Sequence, residues 1–161
     1  MEKYIEDELI ISKIYQETPL VKTFEIRRKD GLTLPEFSAG SHIRIKMPNG
    51  MVRKYSLTNS IEDADKYLIS VKREEKGRGG SISLWDDAKQ GDSVEVTNPI
   101  NSFELVEKAK SYIFIAGGIG ITPLLSMIRS LGEVPYAPWK LYYLTANKES
   151  TPFYDELISG Q

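Results

Sequence analysis

The stretch His42-Ile43-Arg44-Ile45-Lys46-Met47-Pro48-Asn49-Gly50-Met51-Val52-Arg53-Lys54-Tyr55-Ser56 carries the fold in its alternation. Ile43, Ile45 and Met47 fall on one face of an extended chain and His42, Arg44 and Lys46 on the other, the period of a strand with one buried side. Pro48-Asn49-Gly50 is a tight turn, because asparagine and glycine tolerate positive φ, and residues 52–58 return as the partner strand. Working outward, residues 9–15 are rich in isoleucine and end near Glu17-Thr18-Pro19. Residues 20–28 alternate, with Leu20, Phe24 and Ile26 on one face and Val21, Thr23, Glu25 and Arg27 on the other. Residues 67–73 and 93–97 complete a set of six short strands, whose spacing predicts an antiparallel barrel rather than a βαβ array. One helix interrupts them: it starts near Gly80-Ser81 with Ser81 as its cap, turns Ile82, Leu84 and Trp85 inward, and stops before Gly91-Asp92.

After Asn101 the character changes. Tyr112-Ile113-Phe114-Ile115-Ala116 is wholly apolar, as a strand buried on both faces would be. Gly117-Gly118-Ile119-Gly120 then leads into a helix opened by Pro123 and carrying Leu124, Leu125, Met127 and Ile128. Residues 140–145 form a second strand and 153–158 a second helix. This order begins a parallel, doubly wound sheet. Two strands are too few for an independent sheet of that class. The expected organisation is a barrel domain over residues 1–105 and an incomplete, truncated α/β domain over 108–161.

Composition narrows the function. A chain of 161 residues that is 40% hydrophobic and 27% charged is a folded globular protein. A net charge of −2 supplies no basic excess for gripping nucleic acid. With no cysteine there is no disulfide, thiolate metal site, iron–sulfur cluster or cysteine nucleophile within the chain. The acidic start, residues 1–8, lacks the apolar core of a signal peptide, and no apolar run is long enough to span a membrane. A cytoplasmic protein with no metal site is the default expectation.

Three segments suggest chemistry. Arg53-Lys54-Tyr55-Ser56 puts an aromatic ring beside cations and a hydroxyl, which suits a flat, anionic cofactor, although an ordinary exposed strand bearing a tyrosine reads the same way. Gly77-Arg78-Gly79-Gly80-Ser81 precedes a helix, where backbone N–H groups and the helix dipole attract anions, or is simply a flexible loop. It is not a Walker A loop. Gly117-Gly118-Ile119-Gly120-Ile121-Thr122-Pro123 joins a buried strand to a helix, where parallel sheets bind a pyrophosphate. The third glycine of G-x-G-x-x-G is replaced by Pro123, so a tight βα connection is the competing reading. His42 is read as a solvated or packed histidine, and Ser56 has no triad company.

In order and together, these segments resemble the reductase components of Rieske-type oxygenases, of the phthalate dioxygenase and vanillate O-demethylase kind, within the ferredoxin–NADP reductase superfamily. The matching text also includes Phe37-Ser38-Ala39-Gly40-Ser41-His42-Ile43 and Asn98-Pro99-Ile100-Asn101-Ser102-Phe103, and covers nearly the whole chain. The resemblance implies a six-stranded Greek-key flavin barrel followed by an NAD(P)-binding α/β domain. It implies that Arg53 meets the flavin phosphate, Tyr55 stacks on the ring, Ser56 lies near N5, and Lys54 belongs to the same segment. Gly79, Gly80 and Ser81 would donate to phosphate, and Val71 and Lys72 would lie along the ring and ribityl chain. Thr122 would stand between flavin and nicotinamide, with Gly117, Gly118, Ile119, Gly120, Ile121 and Pro123 completing the nucleotide turn. The cofactor implied is FMN, with FAD the alternative, and the donor is NADH or NADPH. The implied reaction passes a hydride to the flavin near Ser56 and Thr122 and then single electrons to an iron–sulfur or Rieske oxygenase component. The cofactor does the chemistry, so no acid–base catalyst is named. Such relatives continue into a complete nucleotide domain and often a four-cysteine ferredoxin domain. A flavin-binding module without nucleotide oxidation, or a barrel with no cofactor, is the competing reading.

Overall fold

In the computed structural model, which describes residues 3–132 and 137–159, the chain runs through five strands, β1 (Leu9–Thr18), β2 (Val21–Arg28), β3 (Ser41–Lys46), β4 (Val52–Ser56) and β5 (Tyr67–Lys72). Helix α1 (Gly80–Asp87), β6 (Ser93–Val94), β7 (Ile100–Asn101) and β8 (Tyr112–Gly117) follow. A 3-10 turn (Gly118–Gly120) then leads to α2 (Ile121–Leu131), β9 (Trp139–Leu144) and α3 (Tyr154–Ser159). Met1 and Glu2 of the acidic start, and Gly160 and Gln161 of the second expected domain, lie outside the described residues.

The first strands pair antiparallel in the order β5-β2-β1-β6 and, separately, β4-β3-β7. Bridges at Ile45–Val96 and Leu57–Ile69 join the two sheets. The ring therefore reads β1-β2-β5-β4-β3-β6, the expected Greek key. Backbone bonds close it: Thr58 N–H donates to Leu68 O at 2.9 Å and Lys46 N–H to Glu95 O at 3.0 Å. Phe24, Ile26, Ile43, Ile45, Leu57 and Ile69 fill the interior and exclude water completely. Each such side chain contributes about 1.5–3 kcal/mol relative to exposure.

Two expectations for the barrel are corrected. The strand expected over residues 93–97 is regular only at Ser93–Val94, continues as bridges at Val96 and Thr97, and is followed by β7. Pro99, which has no N–H to donate, separates the two pieces. Leu20, expected in the strand on the face of Phe24 and Ile26, sits in the two-residue turn between β1 and β2 and is exposed.

The polar face of β2 is buried as well. The hydroxyls of Thr23 and Ser70 meet at 2.8 Å. The Glu25 carboxylate, 3% exposed, accepts from Ser12 (2.7 Å), Tyr15 (3.1 Å) and Arg27 (2.7 Å), and Arg27 also pairs with Asp65. Burial pushes the Glu25 carboxyl up, but the hydrogen bonds from Arg27, Ser12 and Tyr15 outweigh it and hold it below its ordinary value of 4.5. A carboxyl depressed on folding stabilises the protein above its unfolded pKa, and that contribution is lost as pH falls through the folded value. Glu25→Gln is therefore expected to cost about 1–2 kcal/mol at pH 7. The difference from wild type should shrink below pH 4.5 in thermal melts, and a pH-independent difference would exclude this account.

Beyond the barrel, β8 and β9 pair in parallel from Tyr112↔Trp139 to Gly117↔Leu144. Phe114 and Ala116 of β8 pack with Ile121, Leu124, Leu125 and Met127 of α2 and with Ala39 from the barrel. Pro123 lies in the first turn of α2, where its missing N–H is no loss. The expectation that residues 112–116 are buried on both faces is wrong: Ile113 and Ile115 are 69% and 68% exposed. Among the described residues α2 covers one face only, and Tyr142 and Leu144 extend the open one. No helix among the described residues is long and apolar enough to cross a membrane.

Candidate functional site

Arg53 and Gly80, taken from two separate motifs, meet in the structure. A Cβ built on Gly80 would lie 2.8 Å from Arg53 Nε and 2.9 Å from its Cγ, so any larger residue would push the guanidinium away from the start of α1. The helix begins behind Gly79, whose φ of +84° is a left-handed conformation suited to glycine. Ser81, expected as the cap, is instead inside the first turn, and its hydroxyl accepts the Glu74 N–H at 3.3 Å. That leaves its own O–H free to donate elsewhere.

The β3–β4 turn is tied to the same helix. Asn49 N–H donates to the buried Ser83 hydroxyl at 3.2 Å, and its side-chain amide reaches Gly79 O at 3.4 Å. At the other end Lys22 donates to Trp85 O at 2.8 Å and lies 3.7 Å above the indole ring. Leu84 anchors α1 in the core. The helix start is thus held at both ends, with Arg53 beside it. Arg53 donates to Val52 O and approaches the Met51 sulfur, and no carboxylate pairs with it among the described residues. A guanidinium next to the positive end of a helix is repulsive unless an anion lies between them.

Along β4, Arg53 and Tyr55 stand opposite Ile45 and Ile43, while Lys54 and Ser56 stand opposite Arg44 and His42. Tyr55 packs partly on the barrel core, and burial raises its hydroxyl pKa. His42, set aside in the sequence, is buried and faces Ser56 directly across the ladder. Only strand register could have revealed that neighbour. Val71 is a core residue with no exposed surface, backbone included, so it supports the site from beneath. Lys72 is exposed and pairs with Glu74 at 3.0 Å.

Lys72 also joins the second half of the molecule. With Gly118, Ile119, Leu20 and Thr145 it lines a cleft of about 440 Å³ between the β1–β2 turn, the end of β5 and the glycine turn. Gly117, Gly118 and Gly120 open to solvent, with no atom where a Cβ would sit. Ile121 and Thr122 are buried in the first turn of α2, and the Thr122 hydroxyl donates to Ile119 O at 3.1 Å.

A closed Greek-key barrel with an anion-ready helix start, followed by a parallel βα unit seated on its rim, defines the ferredoxin–NADP reductase-like class. The comparisons with known proteins agree. The chain is 50% identical over 138 residues to the phthalate 4,5-dioxygenase oxygenase reductase subunit of Pseudomonas putida, which covers 86% of this chain and 43% of that one. It is 40% identical over 150 residues to the vanillate O-demethylase oxidoreductase of Acinetobacter baylyi, covering 93% and 47%. Among solved structures, phthalate dioxygenase reductase superposes with a TM-score of 0.92 at 45% identity, over 96% of this chain and 47% of that one. That protein is described as a modular structure for electron transfer from pyridine nucleotides to [2Fe-2S]. This chain is similar in sequence and in structure to these oxygenase reductase subunits, and it spans about half the length of the curated relatives it matches. No protein-family model matches it.

Proposed function

We propose that the chain is the flavin-binding part of an NAD(P)H-dependent flavoprotein reductase that delivers electrons to an iron–sulfur oxygenase component. The observation that carries this reading is Arg53, packed against Gly80 at the start of α1 with no carboxylate partner among the described residues. That arrangement fits a phosphate held by a guanidinium and backbone N–H groups together. Arg53, Gly79, Gly80 and Ser81 bind the phosphate end. Lys54, Tyr55 and Ser56 orient the ring, with the stem of Lys72 beside it and Val71 beneath. A bound flavin accepts a hydride and releases electrons one at a time. The protein's residues supply orientation and charge complementarity. The turn from Gly117 to Gly120, with Ile121, Thr122 and Pro123, receives the pyridine nucleotide beside Lys72. FMN is the proposed cofactor, with FAD as the alternative, and residues 1–105 and 108–161 are the proposed flavin and nucleotide domains.

A second reading is flavin binding without turnover, because Arg53 and Gly80 form a phosphate site on the barrel side that does not depend on the βα unit. Purified protein is expected to be yellow or to take up FMN. Anaerobic addition of NADH separates the readings: bleaching supports the reductase, and an unbleached flavoprotein leaves the binding module. A protein that takes up neither FMN nor FAD would overturn both.

A further inference from the structure

We propose that Arg129 is a positioning residue that holds α2, and with it the glycine turn and Thr122, at one setting against the end of β4. Its guanidinium has three engagements. One nitrogen donates across the junction to Thr58 O at 2.8 Å, two residues beyond Ser56. The other two form a fork onto the Glu156 carboxylate at 2.8 and 2.7 Å. The group also lies 5.4 Å from the centre of the Phe153 ring.

Arg129 does not act alone on this face. The buried Ser126 hydroxyl donates to Asn59 O at 2.8 Å, and the Ser130 hydroxyl accepts the Ile61 N–H at 3.2 Å. Positions 126, 129 and 130 share one side of a helix, so α2 docks along residues 58–61 as a single stripe. The receiving segment is itself fastened to the barrel. Asn59 accepts from Leu68 N–H at 3.0 Å and donates to Lys66 O at 3.0 Å. A rigid path therefore runs from the motif strand β4 through residues 58–61 into α2 and back to the turn at Gly118–Gly120. Arg129 alone in this stripe also grips α3, so its removal releases two elements at once.

The consequence rests on the reading of the turn as the nucleotide site. Transfer between two bound partners falls steeply when their separation changes by about 1 Å. Residues that set the angle between the barrel and α2 then govern the rate without touching either partner.

The test compares the full chain with Arg129→Ala and Arg129→Lys. FMN affinity is expected to stay within about twofold of wild type, since Arg129 contacts none of Arg53, Tyr55 or Gly80. Amide hydrogen exchange at Ile61 and over residues 119–125 should accelerate about tenfold or more in the alanine variant, with β1–β5 unchanged. Anaerobic reduction of bound flavin by NADH should lose limiting rate by about tenfold or more while its half-saturating concentration moves less. Lysine should restore part of both effects, because an ammonium cannot reproduce the fork to Glu156 and reach Thr58 together. Unchanged exchange over residues 119–125, or acceleration spread evenly through the barrel, would overturn the proposal. If the wild type takes up no flavin or is not bleached by NADH, the proposed function falls, while the exchange comparison still decides the role of Arg129.

Discussion

Gly40→Ala is expected to remove about 3–5 kcal/mol of folding stability, enough to unfold a marginal domain. Gly40 has a φ of +94°, which by itself costs a side-chain-bearing residue about 1–2 kcal/mol. The larger part comes from contact. A Cβ at this position would stand 1.9 Å from the Phe103 carbonyl oxygen and 2.9 Å from the Met127 methyl. The Met127 methyl is a side-chain end that can move, but the Phe103 carbonyl is backbone and cannot give way easily. Asn101 donates to Ser38 Oγ at 2.7 Å and Ala39 O at 2.9 Å, and accepts the Phe103 N–H at 2.9 Å. Three parts of the molecule, the loop before β3, the segment after β7 and α2, converge on a space that holds two hydrogens. Gly31 provides the control: its φ is +76°, but nothing lies within 4 Å of its would-be Cβ. Gly31→Ala should cost about 1 kcal/mol, the conformational part alone. Urea unfolding of the two variants checks this, and equal losses would reduce Gly40 to an ordinary turn glycine.

Arg53→Ala is expected to weaken FMN binding by about 1.5–3 kcal/mol, the range for hydrogen bonds to charged groups, or about 10- to 150-fold in dissociation constant. Arg53 donates only within its own hairpin, to Val52 O, so the urea midpoint should hardly move. That separates loss of a ligand contact from loss of the fold. Arg53→Lys should recover only part of the affinity, because a point charge replaces a planar fork. An unchanged titration would mean that Arg53 does not face the phosphate.

How far the site was legible varies with how local its causes are. The alternation of residues 42–47 and the Asn-Gly turn after them specify the β3–β4 hairpin, and its register follows once the two strands pair. The order of the glycine segments behind it points to the same kind of reductase that the comparisons find similar. The cap of α1 was misread because serine is a good cap in general, while the chain here needs a left-handed residue, and Gly79 supplies it. The place of Val71 along the flavin comes from the resemblance alone and not from any residue pattern. Burial in the barrel settles its side chain inward. Ile113 and Ile115 read as doubly buried because an apolar run predicts covering layers without saying whether they are present. The polar face of β2 is legible as polar, but its burial under Ser12 and Tyr15 is not, since those two partners of Glu25 come from the neighbouring strand β1.

The hairpin at the centre of the reading draws the same distinction. Residue pattern and turn chemistry suffice for strands, helices and the chain's class, because those depend on neighbours a few residues away. The pairing of Arg53 with Gly80, of His42 with Ser56, and of α2 with residues 58–61 joins positions that are remote or arbitrary in sequence. Such pairs form only when the barrel closes and fixes distance and direction together. A cation comes to lie beside a helix start, and a serine on a helix comes to dock on a distant loop, only after that closure excludes the other places they might go.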